Sequence, residues 1–175
     1  MTRFTLFIAA AATAISLAGG GARAGEQYVD TTGFAVSGYD VVAYFDLPQG
    51  APGTAQPAAV PGNAAYTAQY NGATFAFASA ANRDAFAADP AKYAPQYDGH
   101  CAFGVAKGGK VPGNPNLWRI VDGKLYLNIT RNVVGFWEAD IPGNITLAEG
   151  NWTTLEPAPG SDRPIPDFVS AAPVK

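Results

Sequence analysis

Residues 69–90 read QYNGATFAFASAANRDAFAADP, and 51 positions further on residues 120–141 read IVDGKLYLNITRNVVGFWEADI. Laid together, Asn71-Gly72 falls on Asp122-Gly123, Phe75 on Tyr126, Ser79 on Thr130, Phe86 on Trp137 and Asp89 on Asp140. Asn-Gly or Asp-Gly between apolar alternations is the strongest short-range mark of a type I′ hairpin, because both turn positions need positive φ. Ser79 and Thr130 then stand where a side-chain oxygen can accept from the first free amides of a helix. Apolar residues follow at helical spacing: Ala85, Phe86 and Ala88 with Asn82 behind them in one copy, Val133, Phe136 and Trp137 in the other. Both stretches predict the same hairpin-helix (ββα) unit, at a period long enough for one supersecondary element. The fold class that follows is α+β: a small antiparallel β-sheet with helices packed on one side, built from two units related by an internal repeat. Asp89-Pro90 predicts the cap and first position of a further short helix, while Pro142 is expected to stop the second helix and Asn144 to start another.

Outside the repeat, FAVSGYDVVAYF (34–45) predicts a strand or helical turn docked on the core. The stretch DLPQGAPGTAQPAAVPGNAA (46–65) has no hydrophobic periodicity and predicts a long surface loop. EPAPGSDRPIPDFVSAAPVK (156–175) predicts an extended or flexible Pro-rich tail. A single domain over 25–155, carrying the loop 46–65, accounts for the rest.

The first residues, MTRFTLFIAAAATAISLAGGGARAGEQ, place one early cation, an apolar run to about Leu17, and Ala22-Arg23-Ala24 before Gly25. That order predicts a secretory signal peptide over 1–24, cleaved after Ala24, and a periplasmic or secreted protein. The apolar run is shorter than the roughly 20 residues a membrane span needs. The chain carries a formal net charge of −3, and removal of Arg3 and Arg23 makes it slightly more acidic. With no basic patch to neutralise phosphates, neither nucleic acid nor an anionic membrane is expected as a partner after signal cleavage.

The only cysteine and the only histidine stand side by side as His100-Cys101 in YDGHCAF (97–103). One thiol excludes an internal disulfide, so an exported chain must be stabilised by packing, and its cysteine is reactive, metal-bound or buried. If CAFGVA opens a helix, the Cys101 thiol sits at the positive end of the dipole and its pKa falls. Nucleophilic catalysis needs a base oriented by a third group, and the only base at hand is the sequence neighbour. Neither G-x-S-x-G nor C-x-x-C is present, so an enzyme is the least supported class.

YNGATFAFASAANRDAFAADPAKYAP resembles the YHS domain family, whose core is a hairpin, a short Phe/Cys/Ser motif and a helix ending in D/N-P-x-x-Y. GYDVVAYF (38–45), PQYDGHCAFGVAKGGKV (95–111) and LWRIVDGKLYLN (117–128) extend the likeness to exported single-domain bacterial members. YHS domains accompany copper-transporting ATPases and some oxygenase components, so the resemblance implies transition-metal handling, copper first and zinc or no metal as alternatives. The family's two proposed cysteine ligands correspond here to Ala78 and Asn82. Cys101 becomes the candidate metal ligand by default, with His100 beside it and Asp40 as an oxygen donor from afar; in exported relatives a cysteine at 101 is frequent and position 100 is often tyrosine. Thiolate and imidazole suit Cu(I) or Zn(II), but three or four ligands are usual and the one methionine is Met1. By its own sequence setting Asp40 reads as a structural cap before it reads as a ligand. The alternative function is a metal-free interaction module with a buried cysteine, docking an unidentified protein partner through the sheet face or the 46–65 loop.

Overall fold

The computed structural model describes residues 25–175; the signal peptide expected over 1–24 lies outside the described residues. The architecture is α+β, with two hairpin-helix units. In the first, β1 (Asn63–Tyr70) pairs antiparallel with β2 (Ala73–Phe77) and feeds α1 (Ala80–Ala88) and the short α2 (Pro90–Tyr93). After a turn and α3 (Ala102–Ala106), β3 (Asn114–Val121) pairs with β4 (Lys124–Asn128) and feeds α4 (Arg131–Glu138) and α5 (Ile141–Leu155).

The local chemistry works as the repeat predicts. Asn71 and Gly72 have φ of 46° and 78°, and Asp122 and Gly123 49° and 73°, the left-handed pair a type I′ turn requires. Ser79 Oγ accepts from the Asn82 amide at 3.1 Å and Thr130 Oγ1 from the Val133 amide at 3.4 Å. Asp89 and Asp140 then cap α2 and α5 with nearly identical backbones, φ/ψ of −150°/73° and −152°/75°. Pro142 therefore sits in the first turn of α5, where its missing N–H costs nothing, and Asp140, not Asn144, starts that helix.

The sheet differs from the expectation of one small sheet. Each hairpin is its own two-stranded ladder, and the single bridge between Cys101 and Leu127 ties α3's entry to β4. The hairpins meet through side chains: Phe75 and Phe77 of β2 share a core with Trp118, Leu125 and Leu127 of the second hairpin, with Tyr44 and Phe86 closing it. Tyr126, on the opposite face of β4, joins Trp137, Ala148 and Val105 in a second core. Burying each large apolar side chain contributes about 1.5–3 kcal/mol. Phe136 diverges from its expected place, lying 63 % exposed and stacked on Phe103 while Trp137 fills the core.

The repeat reaches further back than the hairpins. Val60-Pro61-Gly62-Asn63 recurs as Val111-Pro112-Gly113-Asn114, and each ladder slips register at the same point after its Asn. The Gly62 amide bonds the Gly38 carbonyl, and the Gly113 amide bonds the Gly99 carbonyl. Both receiving glycines end left-handed turns, Val36-Ser37-Gly38 at φ 51°, 51° and 79° and Tyr97-Asp98-Gly99 at 57°, 53° and 78°. Non-glycine residues there cost about 1–2 kcal/mol each, so both halves carry the same strained entry turn.

The loop before Asn63 and the C-terminal tail have no helix and no strand beyond isolated bridges, but both are fastened. Trp118 Nε1 donates to the Pro57 carbonyl at 2.9 Å, and Asn116 Oδ1 accepts from the Ala59 amide at 3.0 Å. The tail is extended, the first of the two forms its composition predicts, and is laid over the domain as a strap. Ile165 is buried, Phe168 packs near Tyr39, and the Lys175 amide donates to the Thr32 carbonyl at 2.8 Å. Proline denies the strap regular structure, and its few large apolar residues dock it all the same.

Candidate functional site

Cys101 caps α3. Its amide donates to the Val111 carbonyl at 2.8 Å, and its Sγ lies 3.5 Å from Asn128 Oδ1, accepting from the Gly104 amide at 3.4 Å. The residue is fully buried. Burial pushes the thiol pKa up, and the amides of Gly104, Ile129 and Phe103 offset only part of this. The expected lowering at a helix start is thus reversed: α3 is five residues long, and desolvation outweighs its few aligned amides.

His100 is also fully buried, against Tyr28 and Trp152. Nδ1 lies 3.0 Å from the Tyr97 carbonyl, and Nε2 accepts from the Ser161 amide of the strap at 3.1 Å. These partners fix the neutral tautomer protonated on Nδ1 and leave neither ring nitrogen free. Burial lowers the imidazole pKa to about 4, against the smaller opposing pull of the Tyr97 carbonyl.

Asp40 is fully buried in the other half. Oδ1 accepts from the amides of Val42 at 2.9 Å and Ala43 at 3.2 Å, capping the turn Ala43–Asp46. Oδ2 accepts from the Ala78 amide at 2.8 Å and Asn82 Nδ2 at 2.6 Å. Ala78 and Asn82, where the resemblance drawn from the sequence would set two cysteines, both aim an N–H at one carboxylate oxygen. The structure does not gather Cys101, His100 and Asp40 into one site: they share no hydrogen-bond partner. No group of three or more His, Cys, Asp or Glu placed to hold a metal ion occurs among the described residues.

Sequence reasoning did not single out the pair Arg119–Glu138, whose side chains are nearly buried. Arg119 Nε donates to Glu138 Oε1 at 2.8 Å, Nη2 donates to the same oxygen, and Nη1 donates to the Gly50 carbonyl at 2.9 Å. Glu138 Oε2 in turn accepts from the Gly53 amide at 2.6 Å. The pair clamps the loop onto the second unit and shapes a cleft of about 440 Å³ between Gly53–Gln56, Asn116, Trp118, Arg131 and Gly135. Gly135 lies inside α4 with no atom within 4 Å of where a β-carbon would stand, so the missing side chain widens the cleft and serves no packing. Glycine there costs about 1 kcal/mol relative to alanine.

The YHS domain family matches residues 55–97, which span the end of the loop, the whole first hairpin-helix unit and the start of the second entry turn. The likeness to a YHS domain covers that segment, and YHS domains are generally associated with metal handling, copper in particular. No curated protein and no solved structure matches the chain. No helix among the described residues is long and apolar enough to cross a membrane.

Proposed function

We propose that this is an exported YHS-type interaction module, in which Cys101, His100 and Asp40 hold the framework and the cleft beside the 46–59 loop is the working surface. One observation carries the reading: the donor atoms of all three residues are already engaged inside the protein, four N–H bonds on Asp40, both nitrogens of His100, and a buried Sγ between Asn128 and Gly104. A metal would have to displace these bonds and then find further ligands. Export rests on the order of residues 1–24, and the mildly acidic surface suits a protein partner better than a polyanion.

A second reading keeps the association of YHS domains with copper. Its support is that Cys101 makes the weakest kind of bond of the three, a thiol being a poor donor to Asn128 and a poor acceptor from Gly104. On this reading Cys101 anchors Cu(I), or Zn(II), after α3 opens, and His100 turns away from Ser161 to join it.

Titration of mature wild-type and Cys101→Ala protein with Cu(I) and Zn(II), read by calorimetry and native mass, separates the two. The interaction module retains no stoichiometric metal. One ion per chain, lost in Cys101→Ala, sinks it in favour of the copper reading.

A further inference from the structure

Gly25, the first described residue, is buried, although it borders the segment expected to be cut away. A β-carbon built on it would run into Asp98 Oδ2 and would lie 2.6 Å from the Glu156 carbonyl oxygen. The α-carbon and α-nitrogen, one and two bonds back, are therefore within about 4 and 5 Å of Oδ2. No residue with a side chain fits this seat.

The carboxylate waiting there is incomplete. Asp98 is 8 % exposed, and its Oδ1 accepts from Gln27 Nε2 at 2.5 Å while its Oδ2 is buried with no hydrogen-bond partner among the described residues. Lys110, the cation facing it, directs Nζ to the carbonyls of Ala158 at 2.7 Å and Glu156 at 3.3 Å and sits over the Trp152 ring. The ion pairs among the described residues are Arg83–Asp84 and Arg119–Glu138, so Lys110 makes no direct ion pair with Asp98 and offsets its burial only in part. An orphaned buried carboxylate oxygen costs several kcal/mol unless a donor arrives.

We propose that Asp98 is the seat of the α-ammonium group of Gly25, freed by cleavage after Ala24, and that the mature chain closes a buried ion pair between that ammonium and Asp98 Oδ2. The inference rests on reading residues 1–24 as an export signal. A signal-processing endopeptidase adds water across the Ala24–Gly25 amide; Ala24 leaves as a carboxylate, and the Gly25 amine takes up a proton. Three donors replace one neutral N–H, and the Glu156 carbonyl is placed to accept a second. Processing thereby stabilises the fold at the start of the second unit, next to His100.

In the chain as described, burial raises the Asp98 pKa to about 6, with Lys110 opposing and Glu156 reinforcing. A raised carboxyl pKa subtracts stability as pH rises from about 4 to 6, because the folded state then binds more protons. Pairing with the ammonium removes that loss. Besides Lys110 and Glu156, Glu26 and the neutral His100 also face this corner, and neither supplies a cation near neutral pH.

The test uses full-length exported protein and its N-terminal residue, read by mass spectrometry. Gly25 is expected first, with an α-amine pKa above the ordinary value of about 8, whereas burial alone would lower it. Acylation of that amine is expected to be at least tenfold slower in native protein than in urea or in Asp98→Asn. Retaining Ala24 ahead of Gly25, with Asp98 intact, should lower Tm, and the gap should widen from pH 4 to 7; this arm stands even if Asp98→Asn fails to fold. A different first residue overturns the export boundary and the pair together. Gly25 first with a lowered or ordinary amine pKa, or equal Tm with and without Ala24, overturns the pair alone.

Discussion

Asp40 and Cys101 hold the same station in the two halves of the chain. Each follows a left-handed turn and an aromatic residue, Tyr39 or His100, and each bonds its amide to a valine carbonyl, Val60 at 2.9 Å or Val111 at 2.8 Å. The amide just before a helix-capping residue acts on each, Ala78 before Ser79 donating to Asp40 and Ile129 before Thr130 opposing the rise in the Cys101 pKa. One half fills the station with a carboxylate and the other with a thiol. Their shared work is to join the entry turn to the hairpin's end, which is why both are fully buried.

Removing the carboxylate should therefore be costly. Asp40→Ala leaves four inward-pointing N–H groups without an acceptor and is expected to lose about 3–5 kcal/mol, read from denaturant midpoints. Asp40→Asn should lose less, since one oxygen remains. An Asp40→Ala protein within 1 kcal/mol of wild type would show that the turn does not depend on this acceptor.

Cys101 should be slow to react. With its pKa raised by burial, native protein is expected to resist a disulfide reagent at pH 8 and to label fully in guanidinium. Cys101→Ser keeps an N-cap oxygen facing Gly104 and Asn128 and should stay folded with a loss of about 1 kcal/mol. Rapid native labelling would mean that α3 opens readily.

His100 gives the protein an acid limit. Its folded pKa of about 4 lies below the unfolded value near 6.5, so between those values the unfolded chain binds more protons. Stability is full above about pH 6.5 and falls as pH drops toward 4, by a few kcal/mol. His100→Gln, which can still accept from Ser161, should flatten that slope in thermal melts across pH 4–7. A slope unchanged in the variant assigns it to other groups.

The loop should detach when its clamp is cut. Glu138→Gln leaves the Arg119 guanidinium buried and uncompensated, a loss of about 3 kcal/mol or more. Limited proteolysis is expected to shift to the Gly50–Gln56 segment and accelerate there, while the hairpins stay protected. Undiminished resistance of that segment would place the clamp elsewhere.

How much of this was legible in the sequence depended on distance along the chain. Turn pairs, Ser79, Thr130 and Asp89 act within three or four residues, so their chemistry could be read directly, and the ββα units followed. Asp40 binds donors 38 and 42 positions away, and nothing local distinguishes its four-bond role from an ordinary turn aspartate. The recurrence of Val-Pro-Gly-Asn at 60 and 111 was the missed signal. Hairpins repeat at 51 positions, but Gly38-Tyr39-Asp40 repeats as Gly99-His100-Cys101 at 61, and the ten-residue difference is the extra length of the first loop. That insertion supplies Gly53–Gln56 to the cleft, so the candidate site sits where the repeat breaks. Sequence chemistry drew attention to the rare His-Cys pair, and the structure moved it to Arg119, Glu138 and Asp98, whose partners are remote.

The strap binds matching points of both halves. Ser161 reaches His100 Nε2, and ten residues later Ala171 reaches the Tyr39 hydroxyl, the equivalent place. The C-terminal segment thus works as a belt buckled once on each lobe. The belt closes over a core the two lobes already share, so deleting residues 161–175 should lower the temperature of their melting transition without dividing it.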